Sequence, residues 1–369
     1  MKVSPSTYAA IQEKGVYGRY LNLDMVRPVL EQWAPRFPLQ AMGTSVLGEP
    51  IYQLLLGRGA KRVLMWSQMH GNESTTTKAV LDLLGFLGAG GDVAAGILEH
   101  CTLCILPMLN PDGARAYTRV NANGVDLNRD AQLLSQPESR ALHDVYKRFR
   151  PHFCFNLHDQ RTIFNVGKSP KPATLSFLAP ACDEARTVSR SRADSMKLIA
   201  AINKSLQELI PGQVGRYDDS FNLNCVGDTF QALQTPTLLF EAGHYPGDYP
   251  REQTRMLVFQ ALATALDTLG GEKFAAYRVE QYLAIPENGK NFLDIIVTNA
   301  HQIHPQWEKE IRVGIQFTEE LRGNNIYFMP KLQEVGLLRH KFAHQAYDGS
   351  IAAERKQVQE QRELYHLLN

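Results

Sequence analysis

The chain has 369 residues, of which 44% are hydrophobic and 21% are charged. These proportions are ordinary for a globular protein, and they exclude a disordered or fibrous chain. The 39 lysine and arginine residues nearly balance the 38 aspartate and glutamate residues, so a nucleic-acid partner is not expected.

The amino-terminal segment MKVSPSTYAAIQEKGVYGRY lacks the uninterrupted apolar stretch of a secretory signal. Apolar runs elsewhere are far shorter than the roughly 20 residues of a membrane helix. The cysteine count is odd at five, which argues against a disulfide framework. Four of them lie in or near apolar, strand-like segments and are interpreted as reduced core thiols: Cys101, Cys104, Cys154 and Cys225. These features predict a soluble, cytoplasmic protein without a membrane partner.

Strand-like and helix-like segments alternate along the first 271 residues. The predicted strands are 39–57 (a hairpin around Gly48, Glu49 and Pro50), 61–69, 101–109, 152–159 and 235–243, and the predicted helices are 74–87, 137–149, 186–210 and 252–271. A polar stretch, 212–228, is predicted to be a loop over a site. The alternation predicts an α/β fold with a mixed, largely parallel central sheet and helices on both faces.

Beyond Gly271 the pattern changes to short strand-like runs separated by polar turns. These runs are YRVEQYLAI, NFLDIIVTNA, EIRVGIQFT and NIYFMP. The last stretch, IAAERKQVQEQRELYHLL, predicts a charged helix. A chain of this length exceeds what one small core needs. We therefore predict two domains: a larger α/β domain, 1–271, and a small β-rich domain with a C-terminal helix, 272–369.

Two predicted strands end in residues that commonly bind metals. His70 and Glu73 follow the strand 61–69, and His158 lies near the end of the strand 152–159. In open α/β sheets ligands collect at the carboxyl ends of strands, and two histidines with one glutamate form a catalytic zinc set that leaves the fourth position open. A helix cap at Glu73 and a structural, hydrogen-bonded His158 are the alternative interpretations.

Two further segments carry charged residues next to buried strands. The polar run 110–130 contains Arg119 and Arg129, whose guanidinium groups are suited to bind a carboxylate and to polarise a carbonyl. The alternative is an ordinary polar loop. Glu241 ends the apolar run TPTLLF, so its carboxylate lies at the sheet edge or is costly to bury. A helix-capping role would explain Glu241 equally well.

Taken together, these motifs resemble the zinc carboxypeptidases of the M14, or carboxypeptidase A, group over roughly Met42 to Gly270. The matching segments, in order, are Gly43–Ile51, His70–Glu73, Asn110–Gly113, Asp126–Arg129, Phe155–His158 and Phe240–Glu241. The resemblance implies that His70, Glu73 and His158 bind one Zn²⁺ per chain. It also implies that Asp126 hydrogen-bonds His70 and fixes its tautomer, as Asp159 would do locally.

The same resemblance implies a reaction, the hydrolysis of an amide (peptide) bond next to a free C-terminal carboxylate. Glu241 is expected to act as general base on a zinc-bound water, and Arg119 to polarise the scissile carbonyl. Asn128 and Arg129 are expected to bind the substrate carboxylate. Tyr217 is the nearest substitute for the family's mobile tyrosine, although a packed or surface tyrosine is equally compatible.

Other functions share these features. The sequence motif HGNE and the β-rich carboxyl-terminal region also resemble those of N-acyl-amino-acid deacylases such as aspartoacylase and succinylglutamate desuccinylase. A cell-wall peptide amidase is a second alternative, and an inactive zinc-binding interaction protein is a third. The complete NPDG and DLNR segments favour the carboxypeptidase. The expected partner is a peptide or an N-acyl-amino-acid substrate.

Overall fold

The computed structural model describes residues 3–271 and 273–369. Within them the strands are β1 (Leu39–Thr44), β2 (Pro50–Leu56), β3 (Lys61–Ser67), β4 (Cys101–Leu106), β5 (Phe153–Asp159), β6 (Asn165–Val166), β7 (Leu175–Leu178), β8 (Val214–Arg216), β9 (Thr237–Ala242), β10 (Asn288–Gly289), β11 (Phe292–Thr298), β12 (Arg312–Arg322), β13 (Asn325–Gly336) and β14 (Phe342–Asp348). The α-helices are α1 (Pro5–Ile11), α2 (Leu23–Trp33), α3 (Thr75–Ala89), α4 (Asp92–His100), α5 (Pro111–Ala116), α6 (Pro137–Phe149), α7 (Arg190–Leu206), α8 (Val226–Ala232), α9 (Glu252–Gly270), α10 (Val279–Leu283), α11 (Ala352–Glu360) and α12 (Arg362–Leu368).

An eight-stranded sheet forms the centre of the molecule, in the order β1-β2-β4-β3-β5-β9-β7-β8. The four central strands, β4, β3, β5 and β9, run parallel to one another. β1, β2 and β7 join them through antiparallel pairings. The predicted mixed, largely parallel sheet is therefore confirmed.

Both faces of this sheet are covered by helices. Successive side chains of a strand point to opposite faces, so Val63 and Met65 of β3 join one apolar core while Leu64 and Trp66 join another. The first core contains side chains of α3, α7 and α9, and the second contains side chains of α6 and α8. Each fully buried large apolar side chain contributes roughly 1.5–3 kcal/mol, which makes these two layers the main source of stability.

The carboxyl-terminal part contains a four-stranded sheet in the order β13-β12-β11-β14. β11 pairs in parallel with β14, and the other pairings are antiparallel. Val358 of α11 and Leu364 and Leu368 of α12 pack into the core of this sheet. The predicted β-rich character is confirmed. The domain boundary at 271/272 stays a prediction. The two predicted domains, 1–271 and 272–369, include residues 1, 2 and 272, which lie outside the described residues.

Several local predictions were wrong. The segment YRVEQYLAI was predicted as a strand, yet 279–283 form the helix α10, which begins with a capping box between Arg278 and Gln281. The helix buries Tyr282, whose hydroxyl accepts a hydrogen bond from the backbone N–H of Ala179. The terminal charged helix is two helices, since Gln361 leaves helical geometry and its side chain donates to the Tyr347 hydroxyl. The short strands β7 and β14 and the helix α4 were not predicted.

The cysteines are free in the described residues, as predicted. Cys101, Cys104 and Cys154 are buried in strands, whereas Cys225 is only half-buried and precedes α8. No single described helix is long and apolar enough to span a membrane, although α3 and α4 meet that test as a pair bent by 102°.

Candidate active site

The carboxyl ends of three adjacent parallel strands meet at one edge of the central sheet. β3 leads into the loop that carries His70 and Glu73, β5 carries His158, and β9 carries Glu241. His158 and Glu241 are direct register partners across β5 and β9. The sheet topology thus brings together residues that are far apart in the sequence.

Backbone packing holds the loop after β3 in place. A Cβ atom at Gly71 would overlap the backbone of Gly113, so only glycine fits at this position. Asn110 ties the two segments together: its Nδ2 donates to the carbonyl of Met69 (3.1 Å) and its Oδ1 accepts from the N–H of Gly113 (2.9 Å). The NPDG segment therefore supports the loop that carries His70 and Glu73, a role that the sequence did not indicate.

His70, Glu73 and His158 form a buried group that could hold a metal ion. Glu73 lies between the two imidazoles, with Oε1 2.8 Å from His70 Nδ1 and Oε2 2.8 Å from His158 Nδ1. The two Nδ1 atoms are 3.1 Å apart. All candidate ligand atoms lie within 4.8 Å of one another. The three predicted metal ligands are thus brought together, each with a ligand atom directed at the same small volume.

Asp126 lies on the far side of His70, with Oδ1 3.0 Å from Nε2, which confirms the predicted contact. A hydrogen bond from Nε2–H to this carboxylate leaves Nδ1 with a free lone pair for a metal ion. Burial alone would lower the pKa of His70, but the charge of Glu73 and the hydrogen bonds to Asp126 and Glu73 outweigh burial and raise this pKa. Burial opposes ionisation of Asp126, yet its hydrogen bond to His70 and the charges of His70 and Arg119 lower its pKa.

Asp159 does not act as a second such partner, so that prediction is wrong. Among the described residues its carboxylate accepts hydrogen bonds from the backbone N–H groups of Thr75 (2.9 Å) and Thr76 (3.3 Å), at the start of α3. Its own N–H donates to Glu73 Oε2 (3.1 Å). The Asp159 side chain therefore caps α3, and its backbone N–H helps to orient Glu73. Successive side chains of a strand point to opposite faces, so the side chain of Asp159 points away from that of His158.

Glu241 is buried beside this group. Within the described part of the chain its Oε2 atom has no hydrogen-bond partner. Burial raises the pKa of Glu241 well above its usual value, and the charges of Glu73 and Asp159 raise it further. A carboxylate that burial disfavours in its charged form is well suited to accept a proton. The structure places Glu241 at the sheet edge, as predicted, while its role as general base stays a prediction.

Arg119 contacts Glu73 and Asp126. Its Nη1 lies 3.3 Å from Glu73 Oε1 and its Nε lies 3.1 Å from Asp126 Oδ2. The side chain is 47% exposed, so its remaining N–H groups are accessible from the cleft. A partly solvated guanidinium beside the predicted metal ligands can stabilise negative charge that develops there.

Asn128 and Arg129 lie next to α8. Asn128 Oδ1 accepts a hydrogen bond from the N–H of Val226 (3.0 Å). Arg129 Nη1 donates to the carbonyl of Asn128 (2.8 Å) and lies 3.1 Å from Cys225 Sγ. Both residues line the cleft that contains the metal-ligand group. These bonds leave the other guanidinium nitrogens of Arg129 available for a ligand.

The cleft that joins these side chains has a volume of about 900 Å³. The stretch predicted as a loop over a site does line it, although the strand β8 and the start of α8 fall within that stretch. Tyr217 also lines the cleft, packs 5.4 Å from the ring of Phe164, and has a pKa that burial raises. This position is compatible both with a substitute for the family's mobile tyrosine and with a packed structural tyrosine, the two interpretations made from the sequence.

The sequence did not reveal that the carboxyl-terminal sheet reaches the cleft. Phe317, Thr318 and Glu319 of β12 line its wall. Glu319 forms an ion pair with the buried Arg19 (2.8 Å) and accepts a hydrogen bond from the hydroxyl of Tyr117. These residues come from separate segments without a recognisable motif, so no local signal could have identified them.

Comparisons with known proteins agree with this geometry. The zinc carboxypeptidase (peptidase M14) family model matches residues 29–155. A probable carboxypeptidase 2 from Trichophyton verrucosum is 26% identical over 260 residues, which cover 69% of this chain and 47% of the relative. The chain thus spans about half the length of this curated relative. Murein peptide amidase A from Escherichia coli is 23% identical over 244 residues, which cover 58% of this chain and 89% of the amidase.

A solved structure shows the same fold. The metallo-carboxypeptidase from Burkholderia cenocepacia superimposes with a TM-score of 0.56 at 19% identity, over 69% of this chain and 70% of that one. At this level of sequence identity, the comparison shows a shared fold, that is, the same arrangement of the sheet and helices.

Proposed function

Because the chain is a zinc carboxypeptidase-like protein of the M14 type, we propose that it is a zinc-dependent hydrolase that cleaves an amide bond next to a free C-terminal carboxylate. One observation carries this proposal: His70, Glu73 and His158 converge on one volume, and the buried carboxylate of Glu241 lies on the strand next to His158. A metal site with an adjacent proton acceptor is the arrangement that metal-assisted hydrolysis needs.

The donor atoms fit zinc. Two imidazole nitrogens and one carboxylate match catalytic zinc sites, which leave a fourth position open, whereas magnesium and calcium prefer shells of oxygen atoms. His70, Glu73 and His158 would hold one zinc ion per chain. When bound, the ion supplies Lewis acidity, which acidifies water and polarises a carbonyl group.

The protein's own side chains would then move the proton and hold the substrate. Glu241 takes a proton from the attacking water and returns it to the leaving amine, and its lack of a hydrogen-bond partner at Oε2 among the described residues supports this role. Arg119, half exposed beside Glu73, stabilises the negative charge that develops on the carbonyl oxygen.

Asn128 and Arg129 would bind the substrate carboxylate. An arginine fork binds a carboxylate through paired, charge-assisted hydrogen bonds, and Arg129 keeps nitrogens free beyond its bond to the carbonyl of Asn128. Both residues line the cleft of the metal-ligand group. This arrangement would place the bond next to the substrate carboxylate within reach of Glu241.

A second candidate function is the hydrolysis of short substrates, as in a cell-wall peptide amidase or an N-acyl-amino-acid deacylase. Two findings support it. Phe317, Thr318 and Glu319 add a wall to the cleft, fixed by the ion pair between Glu319 and Arg19. The similarity to murein peptide amidase A also covers most of that protein.

The kcat/KM values of the purified, zinc-loaded protein distinguish the candidates. The substrates are a tripeptide with a free C-terminus, the same tripeptide amidated at that end, and an N-acetylated amino acid. The carboxypeptidase proposal expects the free tripeptide to be the best of the three. Preference for the N-acetylated amino acid would favour the second candidate, and no hydrolysis of any amide by a zinc-loaded, folded protein would contradict both.

A further inference from the structure

The carboxyl-terminal sheet contains a fully buried carboxylate that has no ion-pair partner. Asp294 lies in β11 and is 0% exposed. Within residues 3–271 and 273–369 it forms hydrogen bonds but no ion pair. Burial of an unpaired charge is costly unless hydrogen bonds offset the lost solvation. The donors around Asp294 therefore indicate which segments this carboxylate holds in place.

Four groups donate hydrogen bonds to Asp294. Its Oδ1 accepts from the hydroxyl of Tyr249 (2.9 Å), and its Oδ2 accepts from the backbone N–H of Phe317 (2.7 Å). The side-chain amide of Gln316 and the hydroxyl of Thr162 (3.3 Å) also donate to Oδ2. The Gln316 amide donates to the Thr162 hydroxyl as well (2.7 Å). The four donors thus form one connected network around a single carboxylate.

The donors come from three segments that surround the cleft. Thr162 follows β5, the strand that carries His158. Tyr249 lies between α9 and β9, the strand that carries Glu241. Phe317 belongs to the cleft wall on β12, and its ring packs 5.4 Å from that of Tyr249. Asp294 therefore joins the wall to the two loops that follow the predicted metal ligand and the predicted base.

The part of β12 that forms the wall extends beyond its pairing with β11. The register partners across these two strands are residues 295–297 and 313–315. Among the described strands, residues 316–322 of β12 pair with β13 alone. The hydrogen bonds to Asp294 are made by Gln316 and Phe317, immediately after the pairing with β11 stops. Asp294 thus takes the place of a neighbouring strand at the base of the wall.

The wall and the predicted carboxylate-binding residues lie at opposite ends of the cleft. Asn128 bonds to Val226 of α8, whose side chain belongs to the core on one face of the central sheet. Glu319 of the wall pairs with Arg19, whose carbonyl accepts from the hydroxyl of Ser74, the N-cap of α3, on the other face. The metal-ligand group lies at the sheet edge between them. A substrate whose carboxylate is held at Asn128 therefore extends its acyl part towards β12.

We propose that Phe317 and Thr318 contact the acyl residue of the substrate, the residue on the amino side of the scissile bond. Asp294 and Tyr249 are positioning residues that hold this contact surface in place. Phe317 and Thr318 are half-buried and line the cleft, so the Phe317 ring offers an apolar contact to the substrate. The protein should therefore prefer a large apolar acyl residue. This inference rests on the proposed function.

Two N-acetylated dipeptides test the contact. They share a C-terminal residue, chosen as one that the protein releases, and carry phenylalanine or glycine before it. For the zinc-loaded wild-type protein, kcat/KM for the phenylalanine substrate should exceed that for the glycine substrate at least about tenfold, the effect of burying one apolar side chain. Equal values would overturn the contact and leave the proposed function intact. If the protein releases no C-terminal residue from any peptide, the proposed function fails instead.

Tyr249→Phe tests the positioning role, because it removes the hydroxyl that donates to Asp294 and keeps the ring beside Phe317. The preference for phenylalanine over glycine should fall at least about threefold, the effect of one hydrogen bond. The fall should come chiefly from a higher KM for the phenylalanine substrate. Asp294→Asn should reduce the preference further. A variant that is merely less stable would instead lose kcat for both substrates in the same proportion.

Tyr8→Phe is the matched control, because the Tyr8 hydroxyl also donates to a buried carboxylate, that of Asp82 on α3 (2.8 Å). It should keep the wild-type preference. Hydrogen–deuterium exchange over residues 316–322 of the zinc-free protein measures the positioning without any activity. This exchange should be faster in Tyr249→Phe and unchanged in Tyr8→Phe. An unchanged preference or unchanged exchange in Tyr249→Phe overturns the positioning role, and this test does not require Asp294→Asn to fold.

Discussion

His158 and Glu241 are register partners on the adjacent parallel strands β5 and β9. The backbone hydrogen bonds between these strands fix the distance between a predicted metal ligand and the predicted general base. No side-chain contact is needed to hold Glu241 in place. A substitution at Glu241 that preserves shape should therefore leave the metal-ligand group undisturbed, which makes the following variant informative.

Glu241→Gln should retain zinc and the fold but lose activity. The amide has nearly the same shape as the carboxylate, yet it cannot accept the proton of the attacking water. We expect kcat to fall by roughly two or more orders of magnitude, as general-base contributions suggest. Steady-state kinetics and zinc content of the same preparation check this. Turnover close to wild type would rule out Glu241 as the base.

Arg129→Ala should reduce the preference for a free C-terminal carboxylate. The wild-type protein should cleave a free-acid peptide faster than its amidated form, because the guanidinium pairs with the carboxylate. The variant should narrow this ratio chiefly by slowing the free-acid substrate. Arg161→Ala is the control, since Arg161 lines the same cleft without an assigned role. An unchanged ratio in Arg129→Ala would show that another residue binds the carboxylate.

A buried ion pair should contribute strongly to stability. Arg255 contacts both carboxylate oxygens of Asp82, at 2.6 and 2.7 Å, and both side chains are buried. Arg255→Met leaves the Asp82 charge unpaired in the core between α3 and α9, so the free energy of unfolding should fall by about 3–5 kcal/mol. Lys356→Met is the control, because the pair of Lys356 and Glu360 is exposed and should contribute about 0–1 kcal/mol. Urea unfolding measures both, and equal losses would contradict this interpretation.

The sequence predicted the elements that carry the metal-ligand group because each signal there is local. An apolar run followed by His70 or by Glu241 indicates a strand and the residue at its end. The pairing that brings these ends together follows from the predicted parallel sheet. Asp126 could be placed next to His70 only through the resemblance to zinc carboxypeptidases, since nothing in its own segment points to a histidine.

The remaining features depend on contacts between distant segments. Glu319 lies in a strand of the carboxyl-terminal sheet and meets Arg19 at the wall of the cleft, a contact that neither segment encodes alone. Asp159 was expected to orient a histidine, but the alternation of side chains along β5 directs it to the start of α3. The helix α10 was mistaken for a strand because its five residues are too few to show a helical period.

The zinc content of the purified protein tests the central claim most directly. Elemental analysis should find about one zinc per chain in the wild-type protein and little in His158→Ala, because three ligands and an open position complete the site. His366→Ala, a substitution of an exposed histidine on α12, should retain the metal. Full retention of zinc by a folded His158→Ala protein would contradict the assignment of His70, Glu73 and His158 as the metal site.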